Sequence, residues 1–349
     1  MKALVFYEHG GLENLHYTDV AEPTTGPHDV LVRVEAVALN HLDLWTRRGI
    51  PGLRLPMPHI GGSDIAGIVV AVGGEVDQSW LGRHVVINPA LACGDCAFCR
   101  AGEQSLCDSF KILGEHTTGG FAEYIRIPAT NLYPIPDDYP LAQAAAVPLA
   151  FQTAWRALIG QAALRAGETV LILGAGGGVA TAAIQIAKLA GAYVYAVTST
   201  AEKEQRAREL GADETINYTT SDFSKEIWRR TGKRGVDVVL ENVGPATWAQ
   251  SVRSLARGGR LVTFGATTGR MAETDLNLLF FKQLRLIGST MANFAEWNAV
   301  MQLVFSGRLT PVVDRVMELS EGREAQSLLE NGAQFGKIVL QPTSNAALT

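Results

Sequence analysis

The sequence contains no apolar run long enough to cross a bilayer and no cluster of basic residues. A membrane-spanning helix needs roughly 20 consecutive apolar residues. Lysine and arginine number 30 against 35 acidic residues, which gives a net charge of −5 and argues against a nucleic-acid partner. The N-terminus also lacks the basic start, apolar core and small-residue cleavage site of a secretory signal. We therefore expect a cytoplasmic protein that binds neither membrane nor nucleic acid.

Cysteine is absent outside one short stretch, in which Cys93, Cys96, Cys99 and Cys107 stand together. Four thiolates at this spacing can surround one tetrahedral zinc ion and fill all of its coordination positions. Disulfide bonds are the alternative, but they need an oxidising compartment. The Cys-x-x-Cys spacing favours zinc, and a metal with no open position would hold a loop together without doing chemistry.

The length and composition of the chain allow two domains with large cores. A single core stops growing at roughly 250–300 residues, whereas this chain has 349, of which 47% are hydrophobic and 19% charged. The part before Pro148 is punctuated by proline and glycine and holds short β-like runs, which predict a compact β-domain. Examples of these runs are Leu4–Tyr7, Val30–Leu39, Ile68–Val72 and Glu123–Ile127.

After Pro148, apolar runs alternate with helical patterns. Near-continuous apolar runs are typical of strands buried on both faces, and strands that alternate with helices predict βαβ units around a parallel sheet. The fold class is therefore α/β. The predicted strands are Thr169–Leu173, Tyr193–Val197, Val236–Leu240, Arg260–Phe264 and Leu284–Ile287, and the predicted helices are Val179–Ala190 and Ala201–Leu210.

A glycine-rich turn follows the first of these strands. Thr169–Leu173 leads into Gly174-Ala-Gly-Gly-Gly-Val-Ala180 and then into a helix, which is the context that a dinucleotide-binding turn requires. Glycines let the backbone approach a pyrophosphate, and the helix N-terminus offers it free N–H groups and a positive dipole. The strict G-x-G-x-x-G spacing is not met, and a turn without ligand is the alternative.

The end of the next strand indicates which nucleotide binds. A carboxylate about 20 residues after the glycines would hold the ribose 2′-hydroxyl of NAD. Here Tyr193–Val197 is followed by the hydroxyl residues Thr198–Thr200, and Glu202 belongs to the next helix. Hydroxyl groups and Lys203 can bind a 2′-phosphate that a carboxylate would repel. These residues favour NADPH, with NADH as the alternative and a merely solvated Lys203 as the competing interpretation.

Across nearly its whole length the chain resembles the zinc-type medium-chain dehydrogenases/reductases, the alcohol dehydrogenase superfamily. The markers include the cysteine stretch, Gly120-Phe-Ala-Glu-Tyr124, Ala190-Gly-Ala192, Leu210-Gly-Ala-Asp213 and Gly288-Ser-Thr290. The resemblance implies a GroES-like, β-rich catalytic domain over residues 1–150, with a structural zinc lobe at about 90–110, completed by residues 290–349. It also implies a Rossmann cofactor domain, a doubly wound parallel sheet, over residues 151–289.

The catalytic zinc ligands of that superfamily are not matched in this chain. Their cysteine, histidine and third-ligand positions fall on Asn40, on Ser63 and near Leu149, and these residue types are poor zinc ligands. A site rebuilt from His59 and Asp64 is the alternative, although catalytic zinc normally needs three protein ligands. The Asn-x-x-Asp and Gly-Ser-Asp patterns at these positions instead resemble the quinone oxidoreductase branch, which has no catalytic metal.

Residue roles follow from this resemblance. Asn40 and Ser63 are the catalytic candidates, because each can donate a hydrogen bond to an oxygen that gains charge; a plain turn residue is the competing interpretation of Asn40. His116 stands on a stretch that lines the substrate pocket in relatives and is a candidate proton donor, with a structural or surface histidine as the alternative. The cofactor-binding candidates are His41, Thr153, Gly176, Gly177, Gly178, Val179, Ser199, Lys203, Tyr218 and Gly265.

These features predict an NAD(P)H-dependent oxidoreductase without catalytic zinc that reduces a quinone or an activated alkene. A conjugated acceptor spreads charge onto a remote oxygen and so needs no Lewis acid. The alternatives are an alcohol dehydrogenase or carbonyl reductase, and a nucleotide-binding protein with little turnover. Relatives pair the strand edges that correspond to Arg260–Ser289 across a two-fold axis, which implies a homodimer or homotetramer.

Overall fold

The computed structural model describes residues 1–343; residues 344–349, the end of the C-terminal segment expected to complete the first domain, lie outside the described residues. The chain divides into two compact units. The first comprises Met1–Leu149, Asn293–Trp297 and Pro311–Thr349, and the second comprises Ala150–Ala292 and Asn298–Thr310. Of residues 290–349, which were expected to complete the first domain, residues 290–292 and Asn298–Thr310 lie in the second unit instead.

The first unit is built mainly from antiparallel strands. Its strands are β1 (Lys2–Phe6), β2 (Leu15–Asp19), β3 (Asp29–Ala38), β4 (His59–Ile60), β5 (Asp64–Val72), β6 (His84–Ile87), β7 (Ala90–Leu91), β8 (Lys111–Ile112), β9 (Tyr124–Pro128), β10 (Leu132–Pro134), β17 (Val313–Glu318) and β18 (Lys337–Gln341). One sheet has the order β10-β6-β5-β3-β18-β17, with β9 also paired to β3; the other strands form the sheet β2-β1-β4 and the β7–β8 pair.

The longest strand, β3, shows why this sheet forms. Val30, Val32 and Val34 are buried while Arg33 is exposed, which is the alternation of a strand with one buried face. At its C-terminal end β3 is buried throughout, because β5 and β18 both pair with it there. This end of β3 leads directly into the candidate site.

A parallel six-stranded sheet forms the centre of the second unit. Its order, β13-β12-β11-β14-β15-β16, is that of doubly wound dinucleotide-binding folds, in which ligands bind at the carboxyl ends of the strands where the order reverses. Here the reversal lies between β11 and β14, and the predicted α/β class is confirmed. The strands are β11 (Thr169–Ile172), β12 (Tyr193–Thr198), β13 (Glu214–Asn217), β14 (Val236–Glu241), β15 (Leu255–Thr263) and β16 (Arg285–Gly288).

Two strands are longer than predicted, and their pairing explains both differences. β5 begins at Asp64, ahead of the predicted Ile68, because Asp64 already pairs with Ala38 of β3. β15 begins at Leu255, ahead of the predicted Arg260, because Leu255 pairs with the first residue of β14 before a register shift. The other predicted strands and both predicted helices are found to within two residues.

The helices are short and connect or cover these sheets. Among the described residues, every helix falls short of the length and apolarity that a membrane crossing requires. In chain order they are α1 (His41–Arg48), α2 (Ala97–Arg100), α3 (Leu141–Ala145), α4 (Pro148–Trp155), α5 (Gly178–Leu189), α6 (Ala201–Glu209), α7 (Phe223–Arg230), α8 (Pro245–Ser254), α9 (Leu276–Phe281), α10 (Phe294–Phe305) and α11 (Gly322–Glu330).

Candidate active site and metal lobe

Four sulfur atoms converge in the first unit. The Sγ atoms of Cys93, Cys96, Cys99 and Cys107 all lie within 4.8 Å of one another. A zinc ion with Zn–S bonds of about 2.3 Å holds its tetrahedral sulfurs about 3.8 Å apart, and Cys93 Sγ lies 3.9 Å from Cys99 Sγ. Within residues 1–343, no other group of three or more His, Cys, Asp or Glu side chains converges in this way.

Backbone amides of this lobe point at the sulfurs. Sγ of Cys107 accepts from the Cys93 amide at 3.3 Å, and Sγ of Cys93 accepts from the Cys96 amide at 3.3 Å. The Cys93 amide lowers the pKa of Cys107 to about 6, whereas burial raises the pKa of Cys99 to about 12. A cation shared by the four sulfurs offsets the effect of burial on Cys99, because a metal ion deprotonates a coordinating thiol. The four residues therefore fit a closed zinc site.

A second polar cluster lies in the same unit and consists of Asn40, Asp64 and Lys337; we call it the Asn40 cluster. Lys337 Nζ donates to Asn40 Oδ1 at 2.5 Å and to Asp64 Oδ2 at 2.9 Å, and Asn40 Nδ2 donates to Asp64 Oδ2 at 3.0 Å. The other carboxylate oxygen of Asp64 accepts from the Leu149 amide at 2.8 Å. All three side chains are buried, so the charges compensate each other away from water.

Strand register brings the three side chains together. Ala38 of β3 pairs both with Asp64 of β5 and with Val339 of β18. Asn40 follows Ala38 by two residues, and Lys337 precedes Val339 by two residues on the antiparallel strand. Asn40 and Lys337 therefore lie at the same height along the paired strands. Sequence reasoning missed Lys337. The sequence feature that could have found it is a lysine at the first position of an otherwise apolar strand, because a lysine is buried there only when it is paired.

Asp43 organises the backbone beside the Asn40 cluster. Its carboxylate accepts from the Asn40 amide at 2.7 Å and from the Gly62 amide at 3.1 Å, so it ties the start of α1 to the segment before β5. Burial raises the pKa of Asp43 to about 7, against the opposite effect of these two amides. Burial and then the charge of Lys337 lower the pKa of His41, the first residue of α1.

Ser63 is fully buried, and no described residue forms a hydrogen bond with its Oγ. The backbone beside it is tight. Gly62 has a φ of 92°, and a Cβ at this position would lie 2.8 Å from the ring of Phe121. A Cβ at Gly114 would in turn lie 2.7 Å from the carbonyl of Gly62. An unpaired buried hydroxyl is costly, so Ser63 remains a candidate donor to a bound group.

Two histidines stand near this tight loop. His59 Nε2 lies 3.0 Å from the carbonyl oxygen of Gly114, so this nitrogen carries the proton and offers no lone pair to a metal. His116 Nδ1 accepts from the Ile112 amide at 3.1 Å, which leaves its proton on Nε2. Burial lowers the pKa of both histidines and raises the pKa of Glu115 to about 7.

In the second unit, the glycine turn connects β11 to α5. Gly174 has a φ of 62°, in the region that favours glycine, and its carbonyl accepts from the Gly177 amide at 2.8 Å. Gly177 is the N-cap of α5 and has no side chain with which to bond the first-turn amides, so these remain for an anion. The predicted contacts that lie at this helix N-terminus are Gly176, Gly177, Gly178 and Val179.

The end of β12 carries the residues predicted to select the nucleotide. β12 ends at Thr198, Ser199 follows, and the Thr200 side chain caps α6 by accepting from the Lys203 amide at 3.2 Å. Tyr218 is 55% exposed, and its amide donates to the Thr198 carbonyl at 3.0 Å. The backbone therefore brings Ser199, the first turn of α6 with Lys203, and Tyr218 close to the end of β12.

Sequence reasoning missed two buried amides in the second unit. Asn242 follows β14; its Oδ1 is buried with no partner among the described residues and lies 3.9 Å from where Gly174 would carry a Cβ. The predicted contact Gly265 packs on the other side of Asn242, with 3.6 Å between the two Cβ positions. Gln152 is fully buried, both its amide atoms lack a described partner, and it precedes the buried Thr153. Such unpaired amides are candidate ligand contacts.

The doubly wound sheet with its glycine turn is typical of dinucleotide-dependent dehydrogenases. Residues 26–137 match the alcohol dehydrogenase GroES-like domain and residues 178–306 match the zinc-binding dehydrogenase family. The chain is 33% identical to the NAD-dependent alcohol dehydrogenase of Saccharolobus solfataricus, with 98% of this chain and 100% of that protein covered. It is 30% identical to the acryloyl-coenzyme A reductase of Sulfurisphaera tokodaii, again with 98% and 100% covered. A crystal structure of an NAD-dependent alcohol dehydrogenase superposes with a TM-score of 0.94 at 44% identity, with 98% and 99% of the two chains covered.

The chain belongs to the zinc-type medium-chain dehydrogenase/reductase family, whose members include alcohol dehydrogenases and quinone oxidoreductases. The family predicted from the sequence is thereby confirmed. The first unit is the GroES-like domain, and the second is the Rossmann domain. The protein is an oxidoreductase that uses a pyridine nucleotide.

Proposed function

We propose that this protein is an NADPH-dependent reductase that transfers hydride to a quinone or an activated alkene, such as an enone or enal, without a catalytic zinc. The Asn40 cluster carries the proposal. By the family resemblance, Asn40 stands where zinc-dependent relatives have a ligand cysteine. Its side chain instead bonds an ammonium group and a carboxylate, those of Lys337 and Asp64.

The hydrogen bonding of this cluster argues against a metal. Both carboxylate oxygens of Asp64 are engaged, one of them by a lysine, and that ammonium group would repel a metal cation. Leu149 contributes only its backbone amide, and the hydroxyl of Ser63 is a poor zinc ligand. A site rebuilt from Asp64 and His59 is disfavoured as well, because within residues 1–343 these two side chains belong to no converging group of three possible ligands, and catalytic zinc normally needs three.

The residues around Asn40 suit the reduction of a conjugated acceptor. A bound nicotinamide supplies the hydride. As hydride adds, charge moves to the remote oxygen, and Asn40 Nδ2 can donate its second hydrogen to that oxygen. Ser63 Oγ is the alternative donor, since no described residue bonds it. His116 holds a proton on Nε2 and is the candidate to complete the reduction of a carbon–carbon double bond.

NADPH is the cofactor that the second unit favours. Ser199 follows β12 directly, Lys203 lies in the first turn of the next helix, and the Tyr218 amide bonds the last residue of β12. An NAD enzyme would carry a carboxylate at this strand end. Hydroxyl and ammonium groups can bind a 2′-phosphate. NADH is the alternative, since two of the similar proteins are named as NAD-dependent. The other proposed cofactor contacts are His41, Thr153, Gly176, Gly177, Gly178, Val179 and Gly265.

We assign one structural zinc per chain to the four cysteines, whose sulfurs fit a tetrahedral ion. Thiolate ligands are kept reduced in the cytoplasm, which we propose as the compartment.

The proposed assembly is a homodimer or a homotetramer. β16 is the last strand of its sheet, and an open edge favours pairing with a second copy. Phe280 and Phe281, on the helix before β16, are 58% and 67% exposed, and Leu276 is 67% exposed. Exposed apolar side chains grouped in this way mark interaction surfaces. Light scattering at micromolar concentration should give at least a dimer, and a monomer would count against this assembly.

Two other functions remain as rivals. An alcohol dehydrogenase or carbonyl reductase is favoured by the names of similar proteins, and a nucleotide-binding protein with little turnover is the third possibility. Oxidation of NADPH and NADH measured with a quinone, an enone, an aldehyde and no acceptor separates the three. We expect turnover with the quinone or the enone. Oxidation of simple alcohols that persists in the presence of a chelator would favour the dehydrogenase instead.

A further inference from the structure

We infer that Lys337 is a positioning residue, whose ammonium group fixes the Asn40 amide in the orientation that presents an N–H to the acceptor oxygen. The inference rests on the proposed function, in which Asn40 donates to that oxygen. Lys337 lies 297 positions from Asn40 in the chain. The two side chains meet only because β18 pairs with β3.

The neighbours of the amide leave it one orientation. An ammonium group has three donors and no acceptor, so Lys337 must face the carbonyl oxygen of Asn40. An ionised carboxylate only accepts, so Asp64 must face Nδ2. The distances of 2.5 Å and 3.0 Å agree with this assignment. Turning the amide over would set N–H groups against the ammonium and oxygen against the carboxylate, and would break both bonds at once.

This orientation leaves one N–H group of Asn40 for a ligand. Nδ2 carries two hydrogens; Asp64 accepts one, and no described residue accepts the other. Asn40 is 8% exposed, against 4% for Lys337 and 0% for Asp64, so it is the member of the cluster that a small acceptor group can approach. An ammonium group bonded to Oδ1 also polarises the amide, which strengthens its remaining donor.

Burial keeps water from replacing either neighbour. The side chain of Lys337 is 4% exposed and that of Asp64 is 0% exposed, and the Leu149 amide holds the second oxygen of Asp64 at 2.8 Å. A purely structural ion pair would need only the contact between Lys337 and Asp64. The short bond from Lys337 to Asn40 Oδ1 is the additional observation that connects this lysine to the candidate donor.

A double-mutant cycle tests whether Lys337 acts through Asn40. Lys337→Met keeps the length of the side chain and removes the ammonium group. With 4-deuterated NADPH and an enone, we expect hydride transfer in Lys337→Met to slow about tenfold or more, while the dissociation constant of NADPH changes by less than about threefold. The double variant Asn40→Ala/Lys337→Met should be no slower than Asn40→Ala. Effects that multiply in the double variant would overturn the inference.

A charge-balanced variant distinguishes a loss of hydride transfer from a loss of folding stability. Lys337→Met leaves the buried Asp64 carboxylate uncompensated, which destabilises the fold. Lys337→Met/Asp64→Asn removes both charges, and we expect it to recover the unfolding temperature but not the hydride-transfer rate. Recovery of both would assign Lys337 a purely structural role. Lys2→Met, which removes an exposed ion pair with Asp19 in the same unit, is the matched control and should change neither quantity.

Hydrogen exchange gives a readout that does not depend on activity. In protein labelled with 15N-asparagine, the side-chain amide of Asn40 should exchange about tenfold or more faster in Lys337→Met than in the wild type or in Lys2→Met. Faster exchange in a protein that turns over neither quinone nor enone would refute the proposed function and leave the positioning role intact. Unchanged exchange would overturn that role whatever the substrate.

Discussion

Two polar centres of the first unit, the cysteine lobe and the Asn40 cluster, compensate buried negative charge in different ways. In the cysteine lobe, four sulfurs surround a point where an external cation fits. In the Asn40 cluster, the cation is Lys337, which belongs to the chain and compensates Asp64. Buried anions require a positive partner in both places. A lysine, however, cannot coordinate a substrate oxygen as a Lewis acid does, so the second centre suits acceptors that delocalise their charge.

Loss of one thiolate should have the largest effect, because the cysteine lobe depends on its metal. Cys107→Ser is expected to lower the zinc content well below the one equivalent per chain expected of the wild type. Since structural zinc sites contribute folding energy directly, we expect the unfolding temperature to fall by about 10 °C, or roughly 3–5 kcal/mol. Elemental analysis and calorimetry provide the measurements.

The control for this variant is Ser109→Ala, which removes a hydroxyl 3.6 Å from the Cys107 sulfur and should retain the zinc. The proposed difference between the cysteine lobe and the Asn40 cluster would be wrong if the wild type held two equivalents of zinc and mild chelation removed one of them together with the activity.

Removal of the Asn40 amide should have the next largest effect. We expect Asn40→Ala to slow the turnover of an enone or quinone by about 10²–10³, the loss typical of one oxyanion donor in a dry site, with less loss if water enters. NADPH affinity should stay near that of the wild type, and steady-state kinetics with fluorescence titration measure both. The control Asn14→Ala, at a half-buried position of the same unit, should leave turnover unchanged. Unchanged turnover in Asn40→Ala would instead make it a structural turn residue, with Ser63 as the next candidate.

Glu115 follows the cysteine lobe in the chain and lies close enough to Asp43 for their charges to interact. The titration of Glu115 should make the stability of the protein depend on pH. Burial raises the pKa of folded Glu115 to about 7, above its unfolded value of about 4.3. The folded state therefore binds more protons between these values, and the free energy of unfolding falls as pH rises from about 4 to about 7.

Glu115→Gln removes the contribution of Glu115 to this dependence, whereas Asp43, whose pKa is also raised to about 7, keeps its own. The variant should match the wild type near pH 4 and exceed its free energy of unfolding by about 1–3 kcal/mol near pH 8. Denaturant unfolding at the two pH values provides the measurement. Glu324→Gln, at an exposed position of α11, is the control and should show no such difference. Equal shifts at both pH values would contradict the titration of Glu115.

The smallest effect concerns the second unit, where the proposed contact of Lys203 is with the cofactor rather than with the acceptor. Lys203→Ala should weaken NADPH about tenfold, because a charge-assisted bond at a partly exposed site contributes less than the roughly 1.5–3 kcal/mol of a buried one. NADH should be affected less. Binding titrations with both nucleotides measure the difference, and Lys225→Ala on α7 is the control. Equal losses for both nucleotides, or a wild-type preference for NADH, would defeat the NADPH assignment.

The predictions that succeeded rest on neighbouring residues. The cysteine ligands stand within one short stretch, so their spacing alone indicated the cluster that the structure shows. Each strand of the parallel sheet is a near-continuous apolar run, since both its faces are covered. The glycine turn is likewise local, because Gly174 and the start of α5 follow directly from β11.

The sequence by itself determined the family, the order of the elements and the cysteine cluster, because each depends on residue types at short and regular spacing. Only the tertiary structure decided that Lys337 completes the environment of Asn40, since two antiparallel pairings bring β18 and β5 to the end of β3. Burial likewise cannot be read from residue type. It isolates Ser63 and Asn242 from partners within the described chain and raises the pKa of Asp43 and Glu115 to about 7. Long-range pairing and exclusion of water are collective properties of the folded chain, and no local pattern encodes them.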